Sequence, residues 1–413
     1  MRRLCLAALA ALGLSLPPSA AAQQPADTTL WYWLLHHDDR RPDYARRESS
    51  PRQAIPLPPP PPGEPPAAVR GLYLNAWVFG SSRFYDVLRL VDSTEINTLV
   101  IDVKDDTGYL TYPSVVPTAI EIGANGRIRA HDVRERLALL RSRGLHPVAR
   151  IVVAKDPLLA RGKPAWAVHD RRGGLWRDRL DFAWVDAYQD SVWIYAADLA
   201  AEAVLQGFAE VQFDYLRFPD EPRAVLDNAI FPGKRPGEAG HRAIQRNVAL
   251  MRDRTAPLGV PFTLDIFGLT TSAEGDMGIG QIWEELAPLA DAVLPMVYPS
   301  HYARGAYGIS HPNAQPYATV RRALEDGVAR NARIAKPPRI RPYLQAFSIY
   351  RVRYRAEEIR AQIKAVEDVG LQDWVLWNAR GVYPAGALRR IVDAPIGVSD
   401  ASSAGSDKSA TRQ

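Results

Sequence analysis

Two acidic residues carry the first chemical suggestion in this sequence. The runs Val211-Gln212-Phe213-Asp214-Tyr215-Leu216-Arg217-Phe218-Pro219 and Phe262-Thr263-Leu264-Asp265-Ile266-Phe267-Gly268 are apolar, and each carries one aspartate near its end. Neighbouring strands lie roughly 5 Å apart. Two carboxyls on adjacent strands can therefore reach the separation of about 5–5.5 Å that retaining glycosidases use. One would act as nucleophile and the other as general acid, then base. The acid needs a raised pKa, which burial and a neighbouring negative charge supply.

More polar residues fall on similar runs. Thr98–Lys104 adds Asp102 and Lys104, followed by Asp105 and Asp106, and Pro147–Val153 adds Arg150. Side chains alternate direction along a strand. On that parity Asp102, Lys104, Arg150, Asp214 and Asp265 face one axis, with Arg150 placed to hold a carboxylate ionised. A buried ion-pair network is the structural alternative, and it is the preferred reading for Asp102. Arg217 either joins the site or turns outward to pair with Asp220. Trp77, Tyr298, Tyr302 and Trp377 stand at other strand ends and offer faces for the apolar side of a sugar ring. Asn75, His301, Gln345 and Asn378 would supply hydrogen bonds to its edges.

These residues need a scaffold that gathers strand ends. Eight β-rich runs recur: Gly71–Trp77, Thr98–Lys104, Pro147–Val153, Glu210–Leu216, Pro261–Phe267, Ala292–Val297, Ile340–Ala346 and Trp374–Asn378. Helical patterns separate them over Arg83–Val91, His131–Ser142, Val185–Leu205, Ala243–Arg254, Gln281–Leu289, Pro316–Ala329 and Ala356–Val369. Eight strands alternating with helices predict an α/β protein built on a single (β/α)8 TIM barrel, whose site lies at the C-terminal strand ends. No glycine fingerprint follows the first strand, which argues against an open dinucleotide-binding sheet.

The barrel is expected over residues 70–394. Residues 1–22 read as a signal peptide: Arg2 and Arg3, an apolar run, then Ala20 to Ala22. Residues 23–69 read as a largely disordered tether, Pro-rich from Pro56 to Pro66 and preceded by the aromatic patch Leu30–Leu35. Residues 395–413 read as a disordered polar tail. The expected setting is export to the periplasm or beyond, with no transmembrane segment once the leader is removed.

Composition closes off other chemistries. The chain has 413 residues, 47% hydrophobic and 23% charged, an ordinary globular balance. Its one cysteine, Cys5, lies in the leader, which leaves no thiol nucleophile, disulfide or Cys-ligated metal. A formal charge of +5 spread along the chain does not point to nucleic acid. None of the eight histidines forms a His-x-His pair after the first strand, so no metal is expected. A Gly-x-Ser-x-Gly elbow and a glycine-rich phosphate loop are also missing, and no cofactor is expected.

Four segments resemble a known family. Gly71-Leu72-Tyr73-Leu74-Asn75, Val100-Ile101-Asp102-Val103-Lys104-Asp105, Gln212 to Pro219, and Met296-Val297-Tyr298-Pro299-Ser300-His301-Tyr302 are similar to the putative glycosyl hydrolase domain family of bacterial barrels. The resemblance covers roughly residues 69–394 and implies glycoside hydrolysis of a carbohydrate substrate. Among hydrolase barrels, an α-amylase-like placement fits best, with Asp214 as nucleophile on strand 4 and Asp265 as acid on strand 5. That arrangement usually has Glu as its acid. Glu274 or Asp276, in the following loop, would serve instead and favour inversion. The rival reading is a cell-surface barrel that binds glycans without cleaving them.

Overall fold

The computed structural model describes residues 64–391. The expected signal peptide, most of the tether and the tail lie outside the described residues. Eight parallel strands close a barrel: β1 (Arg70–Leu74), β2 (Thr98–Lys104), β3 (His146–Val152), β4 (Glu210–Asp214), β5 (Phe262–Phe267), β6 (Ala292–Met296), β7 (Tyr343–Gln345) and β8 (Trp374–Trp377). Each pairs with the next, β8 pairs back to β1, and the contact between Tyr343 and Met296 joins β7 to β6. The fold is the (β/α)8 barrel that the alternating pattern predicts.

Helices α1 (Arg83–Val91), α2 (Val133–Ser142), α3 (Asp190–Gln206), α4 (Gly240–Thr255), α5 (Trp283–Leu286), α6 (Pro316–Asn331) and α7 (Ala356–Asp368) lie between the strands. α3 ends at Gly207, whose φ of 119° suits a residue without Cβ. The large core lies between the strands and this helical layer, as with Ile101, Ile151 and Phe213 against Leu137, Leu199 and Val248. A smaller core fills the barrel interior and contains Tyr73, Val100, Val148, Leu294, Tyr298, Tyr343 and Val375. No helix among the described residues is long and apolar enough to cross a membrane.

Three departures from the expected elements matter for the site. β1 stops at Leu74 because Asn75 accepts the Val78 amide and starts a helical turn over Ala76–Phe79. The seventh run is divided. Arg339–Ile340 pairs with β6, and β7 resumes after Pro342, which has no amide to donate. Between Asp102 and Lys104 the register of β2 against β3 shifts, because two residues of β2 oppose one step of β3.

Residues 66–69, assigned from sequence to the tether, are held against the barrel. The Arg339 guanidinium donates to the carbonyls of Pro66 and Ala67 at 3.2 and 2.7 Å. Asn97 donates to Ala68 O, and the Val69 amide donates to Asp373. The chain therefore enters β1 from a fixed position.

Candidate active site

Arg150 organises the C-terminal mouth of the barrel. It leaves β3 toward the axis and donates through Nη1 to Asp102 Oδ1 at 2.5 Å and through Nη2 to Asp214 Oδ2. Its Nε lies 3.5 Å from Asp265 Oδ2. The carboxyls of Asp214 and Asp265 therefore flank a single guanidinium. The guanidinium is held well above its ordinary pKa because Asp102, Asp214, Tyr73 and Asp265 together outweigh its burial.

The three carboxyls differ in setting. Asp214 ends β4, and its Oδ1 also accepts the Tyr215 amide at 2.5 Å. Tyr215 has φ of 56°, a left-handed kink that turns the backbone sharply after the acid. Asp102 accepts the Tyr73 hydroxyl at 2.5 Å, and burial raises its carboxyl to about 6 against the pull of Arg150. Asp265 is sealed: its side chain is 0% exposed, against 6% for Asp214. Burial and then the Asp214 charge push its carboxyl well above the carboxylate range. Its Oδ2 accepts from Gln212 Nε2 at 3.0 Å, while Oδ1 has no hydrogen-bond partner among the described residues. The two neighbouring acids therefore differ in setting: Asp265 is enclosed and its carboxyl is pushed upward, while Asp214 accepts hydrogen bonds from Arg150 and the Tyr215 amide.

Aromatic rings form one wall. Trp377 stacks on Tyr73 with centroids 5.6 Å apart and packs beside Tyr298 at 5.7 Å. Phe347 meets both Trp377 and Tyr298 edge-on. His301 lies edge-on to Tyr298 at 5.1 Å on the exposed side. Asp105, half-buried after β2, has its carboxyl raised by burial and accepts from Thr107.

Several expected contacts are placed elsewhere. Lys104 does not face the axis. The register shift turns it outward, where it binds Asp156 at 2.5 Å and approaches the Tyr195 ring. Asn75 caps the turn after β1 and donates to Ala379 O. Gln345 accepts the Ser300 amide and donates to Phe347 O and Asn313. Asn378 donates to Ala346 O and Val382 O and accepts the Arg380 amide. These three amides are occupied in holding loops, so little capacity is left for a ligand. Tyr302 packs in the outer core against Tyr307. Trp77 is 63% exposed beyond the end of β1, with the Arg129 guanidinium 3.4 Å from its ring centroid. Arg217 is buried among aromatic rings and does not reach Asp220. Glu274 is exposed, and Asp276 accepts the Gly278 amide within its own loop.

Sequence reasoning missed Tyr73, Gln212 and Tyr343. Gln212 bridges Asp265 to the Tyr343 hydroxyl, which lies 2.7 Å away. Strand parity was the available signal, since Gln212 stands two residues before Asp214 on β4.

A family model described as "Putative glycosyl hydrolase domain" matches residues 71–383. No curated protein matches the chain. Among solved structures, the glycoside hydrolase domain of PgaB (BpsB) from Bordetella bronchiseptica is 16% identical. The match covers 75% of this chain and 94% of that domain, with a TM-score of 0.51, a likeness of fold. A hypothetical protein from Ruminiclostridium thermocellum is 37% identical over 47% of this chain and 96% of its own, with a TM-score of 0.43.

Proposed function

The chain belongs to the putative glycosyl hydrolase domain family, and from that premise we propose that it is an exported glycoside hydrolase. Its substrate is a poly- or oligosaccharide, and its mechanism uses two carboxyls with retention. Asp214 is the nucleophile and Asp265 the general acid and base. The carrying observation is the pairing of Asp214, bound to Arg150 and the Tyr215 amide, with Asp265, whose carboxyl burial and Asp214 push upward. A raised acid beside a second carboxyl supports this division of roles. Asp265 protonates the leaving oxygen while Asp214 attacks the anomeric carbon. Asp265 then activates the water that releases the sugar. The wall of Trp377 and Tyr298 supports a sugar ring over the acids. The basic, apolar and small-residue order of residues 1–22 supports export.

The test is a screen of aryl glycosides and polysaccharides with the wild type, Asp214→Asn and Asp265→Asn. Asp214→Asn is expected to lose turnover to background while still binding. Asp265→Asn is expected to lose about 10²- to 10⁴-fold on substrates whose leaving group needs a proton, and less on activated aryl glycosides. Undiminished turnover in Asp214→Asn would refute the assignment. The sealing of Asp265 favours a second reading, a barrel that binds glycans without cleaving them. Binding by the wild type with no turnover on any substrate would select that reading.

A further inference from the structure

Five lysines or arginines among the described residues are more than nine-tenths buried: Lys104, Arg150, Lys155, Arg217 and Arg341. Four have carboxylate partners. Lys104 binds Asp156, Lys155 binds Asp106, Arg341 binds Glu210, and Arg150 binds the three site acids. Arg217, 7% exposed, has no carboxylate within ion-pair distance among the described residues. Burying a charge without a counter-charge is costly, and such groups are normally paired.

The surroundings of Arg217 are aromatic. Its guanidinium carbon lies 4.7 Å from the Tyr215 ring centroid, 5.0 Å from Phe267 and 5.3 Å from Trp184. Stacking on three rings offsets part of the desolvation cost and fixes the guanidinium plane. One nitrogen, Nη1, donates to the Phe218 carbonyl at 3.1 Å. The opposite edge, with the parallel N–H groups of Nε and Nη2, has no partner among the described residues. That edge is the geometry that takes a carboxylate with two hydrogen bonds.

The location joins this edge to the candidate site. Tyr215, which touches Arg217, gives its amide to Asp214. Phe267 ends β5, the strand of Asp265, and Trp184 stands in the loop after β3. All belong to the C-terminal face, where a barrel's ligand sits.

We propose that Arg217 forms an anion-recognising subsite that binds the carboxylate of an acidic sugar residue next to the bond being cleaved. This rests on the glycoside hydrolase reading and adds a substrate class: a glycan carrying carboxylates. Such a carboxylate comes either from an oxidised C6, as in a uronate, or from a lactyl ether, as on a muramyl residue.

The test uses the full chain carrying Asp214→Asn, so that binding is measured without turnover. Titration calorimetry compares oligogalacturonate with its carboxyl-reduced form in one arm. The other arm compares muramyl-containing oligosaccharide with its methyl amide. In at least one arm the carboxylate form is expected to bind about ten- to a hundredfold more tightly, the factor for charge-assisted hydrogen bonds. The arm with the preference identifies the carboxylate source. Adding Arg217→Gln is expected to collapse the ratio toward one. Arg217→Lys keeps the charge but not the fork and is expected to give an intermediate ratio. If the glutamine variant does not fold by circular dichroism, the lysine variant carries the comparison. A ratio near one in both arms, no binding in either, or a ratio that Arg217 substitution leaves in place overturns the proposal. Cleavage of neutral glycans alone by the wild type overturns it while the hydrolase reading stands. An Arg217-dependent carboxylate preference without cleavage of any glycan supports the subsite and removes the hydrolase reading.

Discussion

Arg150 is the residue through which the mouth of the barrel holds together. Three aspartates converge on it, and each is more than nine-tenths buried. Removing one member of a buried charge network leaves the others unpaired, which costs far more than the network itself contributes. Arg150→Met is therefore expected to destabilise the protein by about 3–5 kcal/mol at neutral pH, measured as a lowered urea midpoint. The loss should shrink in mild acid, because Asp102, raised to about 6, takes up its proton there. A loss equal at pH 5 and pH 8 would show that the carboxylates are not what Arg150 compensates. At this scale, strand alternation was enough to place Asp102, Arg150, Asp214 and Asp265 on one axis. It failed at Lys104, because one bulge reverses the facing of the residue that follows it. It was silent on Asn75, Gln345 and Asn378, whose amides satisfy backbone groups of loops distant in sequence.

Most helices follow their periodicity, but α3 begins at Asp190 rather than Val185 and α5 spans only Trp283–Leu286; α3 also carries a buried carboxyl that periodicity does not explain. Glu202 of α3 lies 1% exposed in the layer between α3 and the loop after β2. Its Oε1 accepts the Val115 amide at 2.7 Å, and Oε2 has no hydrogen-bond partner among the described residues. Burial raises its carboxyl to about 7 against the hydrogen bonds from Ser114 and Val115. A folded pKa above the unfolded value of 4.5 means that the native state binds the extra proton. Its stability contribution is full below about 4.5 and is lost as pH rises through 7. Glu202→Gln keeps the acceptor and removes the charge. It is expected to raise stability at pH 8 by on the order of 2 kcal/mol, with the gap closing near pH 5. Thermal melts at the two pH values test this. A variant less stable than wild type at both would mean that the second oxygen is needed.

At the scale of the whole molecule, the barrel is closed by parallel pairing and tied at its base by a second ionic cluster. Glu210 at the start of β4 accepts from Arg341 at 2.6 Å and Thr263 at 2.9 Å, and His146 lies 3.1 Å away. Burial alone would raise this carboxyl, but Arg341 and His146 outweigh it and hold it at about 2. The sign is opposite to that of Glu202. The contribution is present above the unfolded value of 4.5 and is lost as pH falls toward 2. Glu210→Gln is expected to cost about 3–5 kcal/mol at pH 7 by leaving Arg341 buried without its partner. It should also flatten the acid-unfolding curve between pH 4.5 and 2. An unchanged acid limb would place the acid sensitivity elsewhere.

Much of this protein was legible in its linear pattern. Eight apolar runs alternating with amphipathic segments determine a (β/α)8 barrel, because side-chain period and turn residues act over a few residues at a time. The same pattern places Asp214 and Asp265 near the ends of adjacent strands. Tertiary structure alone decided the rest. It decided that Asp265 is fully enclosed while Asp214 keeps a small exposed edge, that Lys104 leaves the axis, and that Asn75, Gln345 and Asn378 are taken up by loops. It also left Arg217 buried among rings without a carboxylate partner among the described residues. Depth, bulges and hydrogen-bond partners depend on which distant segments the barrel brings together, and local periodicity carries no record of those distances.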